Sequence, residues 1–516
     1  MKAGQKLRIV LYTFLGLSCL YLFFLSCVWD YRVLVAREHV RFRQEMPTMD
    51  SWINSPFGKL KSYLFNVTNA AEFESGIDKR LKVDQIGPIT YKIVGFNDIL
   101  SRNENNVTYR KNRYRHVKFL PEESVAPDVL NWTIVSPNNV LLGAAAKFKH
   151  VAPFSVLGFD AITRFEDLFI TGSVYYFLWE FTRPSLQLVS NLLPFALSAN
   201  CGPLHNALKD KEEVYTVNIG PEQGIENFFR IESLNGQQII KEQLPRSEQW
   251  SDEACPYNVS GAHDNSLFPP FLQPDTPLNV VAIESCRVLP LVYQRPERYA
   301  GLDTYRYLLL QPGQEPPRCM DTTYGIKLHK GMFDVSKCVI NDAPSAFSAP
   351  HFYGSSYNWS EHYEGFNPNA EEHEPFILME PTTGIPVNEK YRFQSNIPMP
   401  NLASYSRRLK KFSNMLLPTF WYEFEMGELP DFVLWLMWFN VKVLPHVQAP
   451  CMALLLLLAL WSALKVIRVA WGDLSYVDLY RKICGRGSTN ACLETVFPTT
   501  DRHLTQCGQD SDEAVK

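Results

Sequence analysis

Any chemistry in this chain has to start from a few groupings of reactive side chains. Glu371-Glu-His-Glu374 is the densest cluster of metal-binding types, but consecutive residues of a helix or strand do not converge on one ion. His263-Asp264 has the composition of an acid–base pair, with no nucleophile to place beside it. Arg110, Lys111, Arg113 and Arg115 would make a patch for an anionic ligand, but charge runs are more often a solvated strand face, and that reading is preferred. No G-x-S-x-G elbow, Walker loop, G-x-G-x-x-G, H-E-x-x-H or C-x-x-C occurs. The sequence points away from an enzyme and calls for no metal or cofactor. A net charge of −4 over 516 residues gives no sign of a nucleic-acid partner.

The elements that would carry these residues are framed by two apolar runs. Val443 to Leu464 spans 22 residues without Asp, Glu, Lys or Arg. At about 1.5 Å per helical residue it reaches roughly 33 Å, enough for a hydrocarbon core of about 30 Å. Ile9 to Trp29 is likewise uncharged and exceeds the roughly 7–15 residues of a signal-peptide core, so it reads as an uncleaved anchor. Lys465, Arg468, Arg481 and Lys482 follow the second run, against Lys442 before it, which puts the tail on the cytoplasmic side. The predicted organisation is residues 1–8 cytoplasmic, 9–29 spanning, 30–442 extracellular or luminal, 443–464 spanning and 465–516 cytoplasmic. The sequons at Asn66, Asn106, Asn131, Asn258 and Asn358 all fall between the spans, as expected of a glycosylated ectodomain.

Eleven cysteines sort by compartment. Cys19, Cys27 and Cys451 lie in or beside the spans, and Cys484, Cys492 and Cys507 in the tail. Cys201, Cys255, Cys286, Cys319 and Cys338 meet oxidising conditions, where disulfides persist. Five is odd, and spacing alone does not choose the pairs.

Within the ectodomain, Gly87 to Val94, Val107 to Phe119, Val214 to Ile219, Asn279 to Ile283 and Tyr305 to Leu310 read as strands. Phe154 to Trp179 and Ser185 to Ala199 carry apolar residues at helical spacing, separated by Arg183-Pro184. They predict a helical insertion over 153–208 in an α+β unit. Phe432 to Phe439, apolar and aromatic, is read either as an interfacial segment or as a buried helix.

In its order of motifs the chain resembles the class B scavenger receptors. The pieces are Gly331-Met-Phe-Asp-Val-Ser-Lys-Cys338, Ala349-Pro-His-Phe-Tyr353, Gly365-Phe-Asn-Pro-Asn-Ala-Glu-Glu-His373, Met379-Glu-Pro-Thr-Thr-Gly384 and Arg392-Phe-Gln-Ser-Asn-Ile397. Gly87-Pro-Ile-Thr-Tyr91, Leu178-Trp179, Phe268-Pro-Pro-Phe-Leu272 and Ser285-Cys-Arg287 support them. The resemblance implies a large antiparallel β-barrel ectodomain with a membrane-distal helical bundle and two transmembrane helices. It implies a tunnel carrying apolar lipid (fatty acid, sterol or carotenoid) to the membrane, and ligand capture at the tip. It pairs Cys255 with Cys319 and Cys286 with Cys338, leaving Cys201 over. Thr163, Arg164, Phe165 and Glu166 occupy the tip, where Glu166 and Asp167 oppose the one basic residue, unlike the lysines of several members.

In the tail, Tyr476-Val-Asp-Leu479 fits a tyrosine-based endocytic signal, and Cys484 and Cys492 are palmitoylation candidates or free thiols. The function expected is a cell-surface receptor for lipids or lipoprotein-like particles. The alternative is an endosomal or lysosomal sorting receptor that holds a protein cargo at the tip.

Overall fold

The computed structural model describes residues 3–28, 30–44, 46–54, 58–149, 159, 163, 165–192, 198–208, 213–240, 258–309, 313, 321–403 and 408–471. They fall into two compact units: Arg32–Leu444, and the described parts of Met1–Tyr31 with Pro445–Lys516.

The terminal unit is built on the helices Ala3–Val28 and Leu444–Trp471, each long and apolar enough to cross a membrane. Their apolar side chains face outward almost all round, and small residues line their mutual contact. Cys19, Ala459 and Ser462 are buried there. A Cβ added at Gly16 would lie 2.5 Å from Ser462 Oγ, so glycine permits the close approach. Tyr12 meets Trp461 edge to face, and Gln448 Nε2 donates to the Ser26 carbonyl oxygen at 3.2 Å.

The larger unit is organised by strands β1 (Gly58–Val67), β2 (Leu81–Arg102), β3 (Asn106–Phe119), β4 (Thr133–Pro137), β5 (Phe169–Ser173), β6 (Val214–Asn218), β7 (Ile231–Leu234), β8 (Leu278–Ala282), β9 (Arg287–Tyr299), β10 (Leu302–Leu308), β11 (Thr322–Thr323), β12 (Ile326–Lys327), β13 (Met332–Asp334), β14 (Ala346–Ser348), β15 (Tyr363–Glu364), β16 (Phe376–Glu380), β17 (Ile385–Pro398) and β18 (Leu416–Glu425). The main sheet runs β7-β6-β3-β2-β1-β18-β17-β16-β10-β9-β8, antiparallel along its path. The expected barrel is corrected here: the path does not close. Its end strands β7 and β8 are only four and five residues long, and neither pairs with the other. Instead the segment Gly261–His263 lies between them, with Ile231 N–H donating to Ala262 O and Val281 N–H to His263 O. A short edge covered by a loop satisfies its backbone without closure.

The helical insertion also needs correction. Among its described residues, Phe169–Ser173 is strand β5, paired with β4. Its Phe-Ile-Thr run favours an extended chain over the helical spacing of the surrounding window. A π-helical turn, Tyr176–Glu180, follows. The helix Pro184–Leu192 starts with proline at its first position, where the missing N–H costs nothing. A helix that periodicity did not single out, Asn139–Phe148, is capped by Asn138, whose side chain accepts from Leu141 N–H at 3.1 Å.

The recognisable motifs are architectural. Glu380 accepts from Thr382 N–H (3.0 Å) and Thr383 N–H (2.7 Å), closing the turn from β16 to β17. Gly384 in that turn has φ 73°, and an added Cβ would sit 2.2 Å from Phe268 O, so the Phe268–Leu272 motif docks against it. Asp334 accepts from Thr323 and Ser336 hydroxyls, beside Arg287 and the Cys286–Cys338 disulfide. Cys255 and Cys319 lie outside the described residues. His351 and His373 stack at 4.3 Å. Asn367 N–H donates to His351 Nδ1 (3.0 Å), leaving Nε2–H for Gln85 Oε1 (2.7 Å), and Asn369 N–H donates to His373 Nδ1 (3.0 Å).

Across β1, β18 and β17 runs a ladder of charges. Arg392 Nε donates to Glu423 at 2.6 Å, Lys61 Nζ reaches Glu423 (2.9 Å) and Glu425 (2.6 Å), and Lys390 lies 3.3 Å from Glu425. Arg392 and Glu423 are each only 4% exposed. Burial opposes the Glu423 charge, but Arg392, Lys390 and Lys61 outweigh it and hold the carboxyl below its usual range.

Glu423→Ala, which leaves Arg392 buried without its partner, is expected to cost about 3–5 kcal/mol. Glu425→Ala, at a half-exposed site, is expected to cost about 1 kcal/mol or less. Thermal unfolding of the purified full chain compares them, and equal losses would refute the ladder's dependence on Glu423. A second expectation concerns acid. Burial pushes His351 down to about 3, with His373 adding to the shift, and pushes His373 to about 4. Both rings fold neutral, so their contribution is complete above about pH 6.5 and is lost as pH falls towards 4 and below. Each histidine then removes up to about 1.4 kcal/mol per pH unit in that window. A Tm that stays flat from pH 7 to pH 4 would contradict this.

Candidate functional site

On β18 the side chains alternate: Trp421, Glu423 and Glu425 point to the ladder face, while Phe420, Tyr422 and Phe424 line cavities on the other. The larger cavity has a volume of about 620 Å³ and the smaller about 180 Å³. Ala207, Glu284, Phe420 and Tyr422 line both, so the two spaces share part of their walls.

Two helices and the sheet supply much of the larger cavity's wall. Helix Asn139–Phe148 gives Val140, Leu141 and Ala144, helix Pro184–Leu192 gives Leu186 and Val189, and the sheet gives Leu64, Ile397 and Phe347. The apolar walls suit an apolar occupant, and the volume is that of a ligand pocket. Few polar groups interrupt them. Lys147 Nζ donates to Asn341 O at 2.7 Å. Burial pushes the Cys201 thiol up to about 11, so it stays protonated and unreactive.

The smaller cavity is lined by Leu60, Ile93, Phe424, Leu429 and Val433, with one ion pair in its wall. Lys111 Nζ lies 3.0 Å from Asp264 Oδ2, and Tyr109 and Ser266 hydroxyls donate to the same carboxylate. Burial raises the Asp264 pKa, but Lys111 and these hydrogen bonds prevail and bring it down to about 2. Lys111 is therefore buried, not part of the solvated strand face read from the sequence, and Asp264 is its counter-ion. Of the Glu371–Glu374 cluster, Glu374 pairs with Arg306 at 2.9 Å and His373 is occupied as above.

The tip residues separate. Thr163 Oγ1 donates to Phe159 O at 2.7 Å, and both residues line the larger cavity. Glu166 is buried and accepts from Arg183 Nε (2.7 Å), Ser185 N–H (3.1 Å) and Asn138 Nδ2 (3.2 Å). Burial works against its charge, and Ser185 and Arg183 outweigh that to keep the carboxyl below its usual value. Phe165 is 90% exposed, and Arg164 lies outside the described residues. Asn131, Asn258 and Asn358 are exposed; Asn66 and Asn106 are half-buried, with Asn66 Oδ1 accepting from Val135 N–H at 2.8 Å. Tyr476, Leu479, Cys484 and Cys492 fall outside the described residues.

Sequence reasoning missed Phe420, Tyr422 and Phe424, although Phe420-Trp-Tyr-Glu-Phe-Glu425 carries the signal: aromatic residues every second position against acidic ones. It also missed Ala207, which nothing in the sequence sets apart.

Several curated proteins are similar to the chain over most of its length. Scavenger receptor class B member 1 of Rattus norvegicus is 27% identical over 380 residues, covering 70% of this chain and 69% of that protein. The Bos taurus protein of the same name is 25% identical over 467 residues, 84% and 83% of the two chains. Lysosome membrane protein 2 of Rattus norvegicus is 26% identical over 405 residues, 77% of each. A CD36 family profile matches residues 10–469, nearly the whole sequence, and the chain belongs to that family.

Proposed function

We propose that this protein is a cell-surface receptor that captures lipid or lipid-bearing particles at a helical tip and passes apolar lipid through the ectodomain to the membrane. The observation that carries the reading is the pair of apolar cavities sharing Ala207, Glu284, Phe420 and Tyr422. A dry conduit spares each CH₂ of a moving lipid about 0.8 kcal/mol of contact with water. In this reading both termini are cytoplasmic, residues 30–442 form the glycosylated ectodomain, and Cys255–Cys319 adds a second disulfide. Phe165 supplies the first apolar contact with a particle, the adjoining Arg164 a cation, and Thr163 and Glu166 hold the tip's shape from within. The mechanism needs no catalytic group or cofactor; selectivity lies in the bore of the cavities. A second reading, a sorting receptor of endosomes or lysosomes with a protein cargo at the tip, is favoured by the similarity to Lysosome membrane protein 2. Steady surface staining of the tagged full chain separates the two.

Ala207→Trp, placed on the wall that the cavities share, is expected to cut lipid delivery to the membrane at least about tenfold, the effect of roughly 1.4 kcal/mol. Surface level and particle binding stay as in the unmodified chain. Uptake of labelled lipid at unchanged rate would refute the conduit. Phe165→Asp is expected to weaken particle binding roughly tenfold or more, from about 1.5–3 kcal/mol of lost apolar burial. Delivery of free lipid should remain, and equilibrium binding to cells that display the chain measures the difference.

A further inference from the structure

Where the cavity walls leave a fully buried polar side-chain atom without a partner, that atom is an acceptor. Among the described lining residues these atoms are Oδ1 of Asn139 in the larger cavity, and Oδ1 of Asn97 and Asn265 in the smaller. All three are amide oxygens. The two in the smaller cavity flank its ion pair: Asn97 is the cross-strand neighbour of Lys111 on β2 and β3, and Asn265 follows Asp264. Asn97 is only 3% exposed.

Neighbouring groups fix which end of each amide is left over. Asn97 Nδ2 donates to the Trp52 carbonyl oxygen at 2.8 Å, and Asn265 Nδ2 donates to the Glu389 carboxylate. Turning either amide over would set oxygen against oxygen, so Oδ1 is the orphan in both. The donors close by are directed elsewhere. Lys111 Nζ donates to Asp264 O at 2.9 Å and Oδ2 at 3.0 Å, and lies 5.9 Å from the centre of the Tyr215 ring. Trp52 Nε1 donates to Ser266 Oγ at 3.1 Å, and the Ser266 hydroxyl to Asp264. A buried acceptor left bare costs free energy, so this wall calls for donors from whatever fills the space.

Volume and polarity select the occupant. About 180 Å³ is many times the roughly 10–15 Å³ that admits one water. Leu60, Ile93, Phe424 and Val433 line the same space and suit an acyl chain. An ionised fatty acid and an ester carry only acceptors at the head, and the described wall already holds Asp264, Glu284 and Glu389 against one cation, Lys111. Hydroxyls supply donors without bringing a further charge into an apolar space. We propose that the smaller cavity is a head-group site for a neutral lipid bearing hydroxyls, a monoacylglycerol being the simplest with two, and that Asn97 and Asn265 accept its hydrogen bonds. This rests on the reading of the cavities as lipid-binding and names the head group that one of them takes.

The test compares 1-oleoylglycerol with 1-oleoyl-2,3-di-O-methylglycerol, which keeps the chain and the oxygens but has no donor, and with oleate. Equilibrium binding of each labelled lipid to the purified full chain in detergent micelles, measured against micelles alone, should rank 1-oleoylglycerol at least about tenfold tighter than either. Asn97→Leu and, separately, Asn265→Gly, which suits the backbone there at φ 71°, should each bring that ratio at least about threefold closer to one, with the dimethyl ether bound as before. Equal affinity for 1-oleoylglycerol and its dimethyl ether, tighter binding of oleate, or a ratio unmoved in both variants would each overturn the head-group site. The comparison between lipids uses the unmodified chain, so a variant that fails to fold does not decide it. Equal binding of the glycerol lipid and its ether leaves the apolar conduit standing, whereas binding of none of the three lipids removes the conduit and this site together.

Discussion

Strand β18 has to satisfy two incompatible environments at once, and the rest of the ectodomain follows from how it does so. Its pleat sends Glu423 into a buried ladder with Arg392 and Lys61, and sends Phe420 and Tyr422 into open apolar space. Charges removed from water hold only while fully partnered, so the ladder fixes the register of β1, β17 and β18. A one-residue slip would turn the carboxylates into the cavities and the aromatic rings into the ladder. Holding a hollow interior against collapse requires a frame of this kind, since interiors otherwise close to crystal-like density.

The side chains that looked most like chemistry serve that frame. Glu380, Asp334, Arg392 and the stacked His351 and His373 close turns, orient backbone or bridge strands. Buried polar groups of this sort are costly unless every partner is present, and the motifs supply the partners across long sequence separations. The walls of the larger cavity are instead made largely by apolar side chains, on β18 and on the helices Asn139–Phe148 and Pro184–Leu192 among others.

What could be read from the sequence follows the range of the physics involved. The two terminal helices are legible because composition over about twenty residues decides them. β2, β3, β6, β8 and β10 are legible from local β-branched and aromatic runs. β5 was hidden inside a window with helical spacing, and Asn139–Phe148, with its Gly-Ala-Ala-Ala run, has too few polar residues to show a face. Lys111 with Asp264 lies beyond local inspection, because 153 positions separate the partners. Whether the sheet closes is equally non-local, decided by two edge strands of four and five residues. The residues assigned to the tip by resemblance were illegible as chemistry: Glu166 reads as a surface acid until Arg183 and Ser185 are seen around it.

The alternation on β18 also bears on how such an interior can change over generations. Aromatic and aliphatic residues on its inner side lie on the opposite face of the strand from the charged ladder. Swapping one for another alters the bore while the skeleton keeps its alignment. Variation in cavity shape among descendants of such a chain should therefore accumulate on one side of a single strand, with its reverse left unaltered.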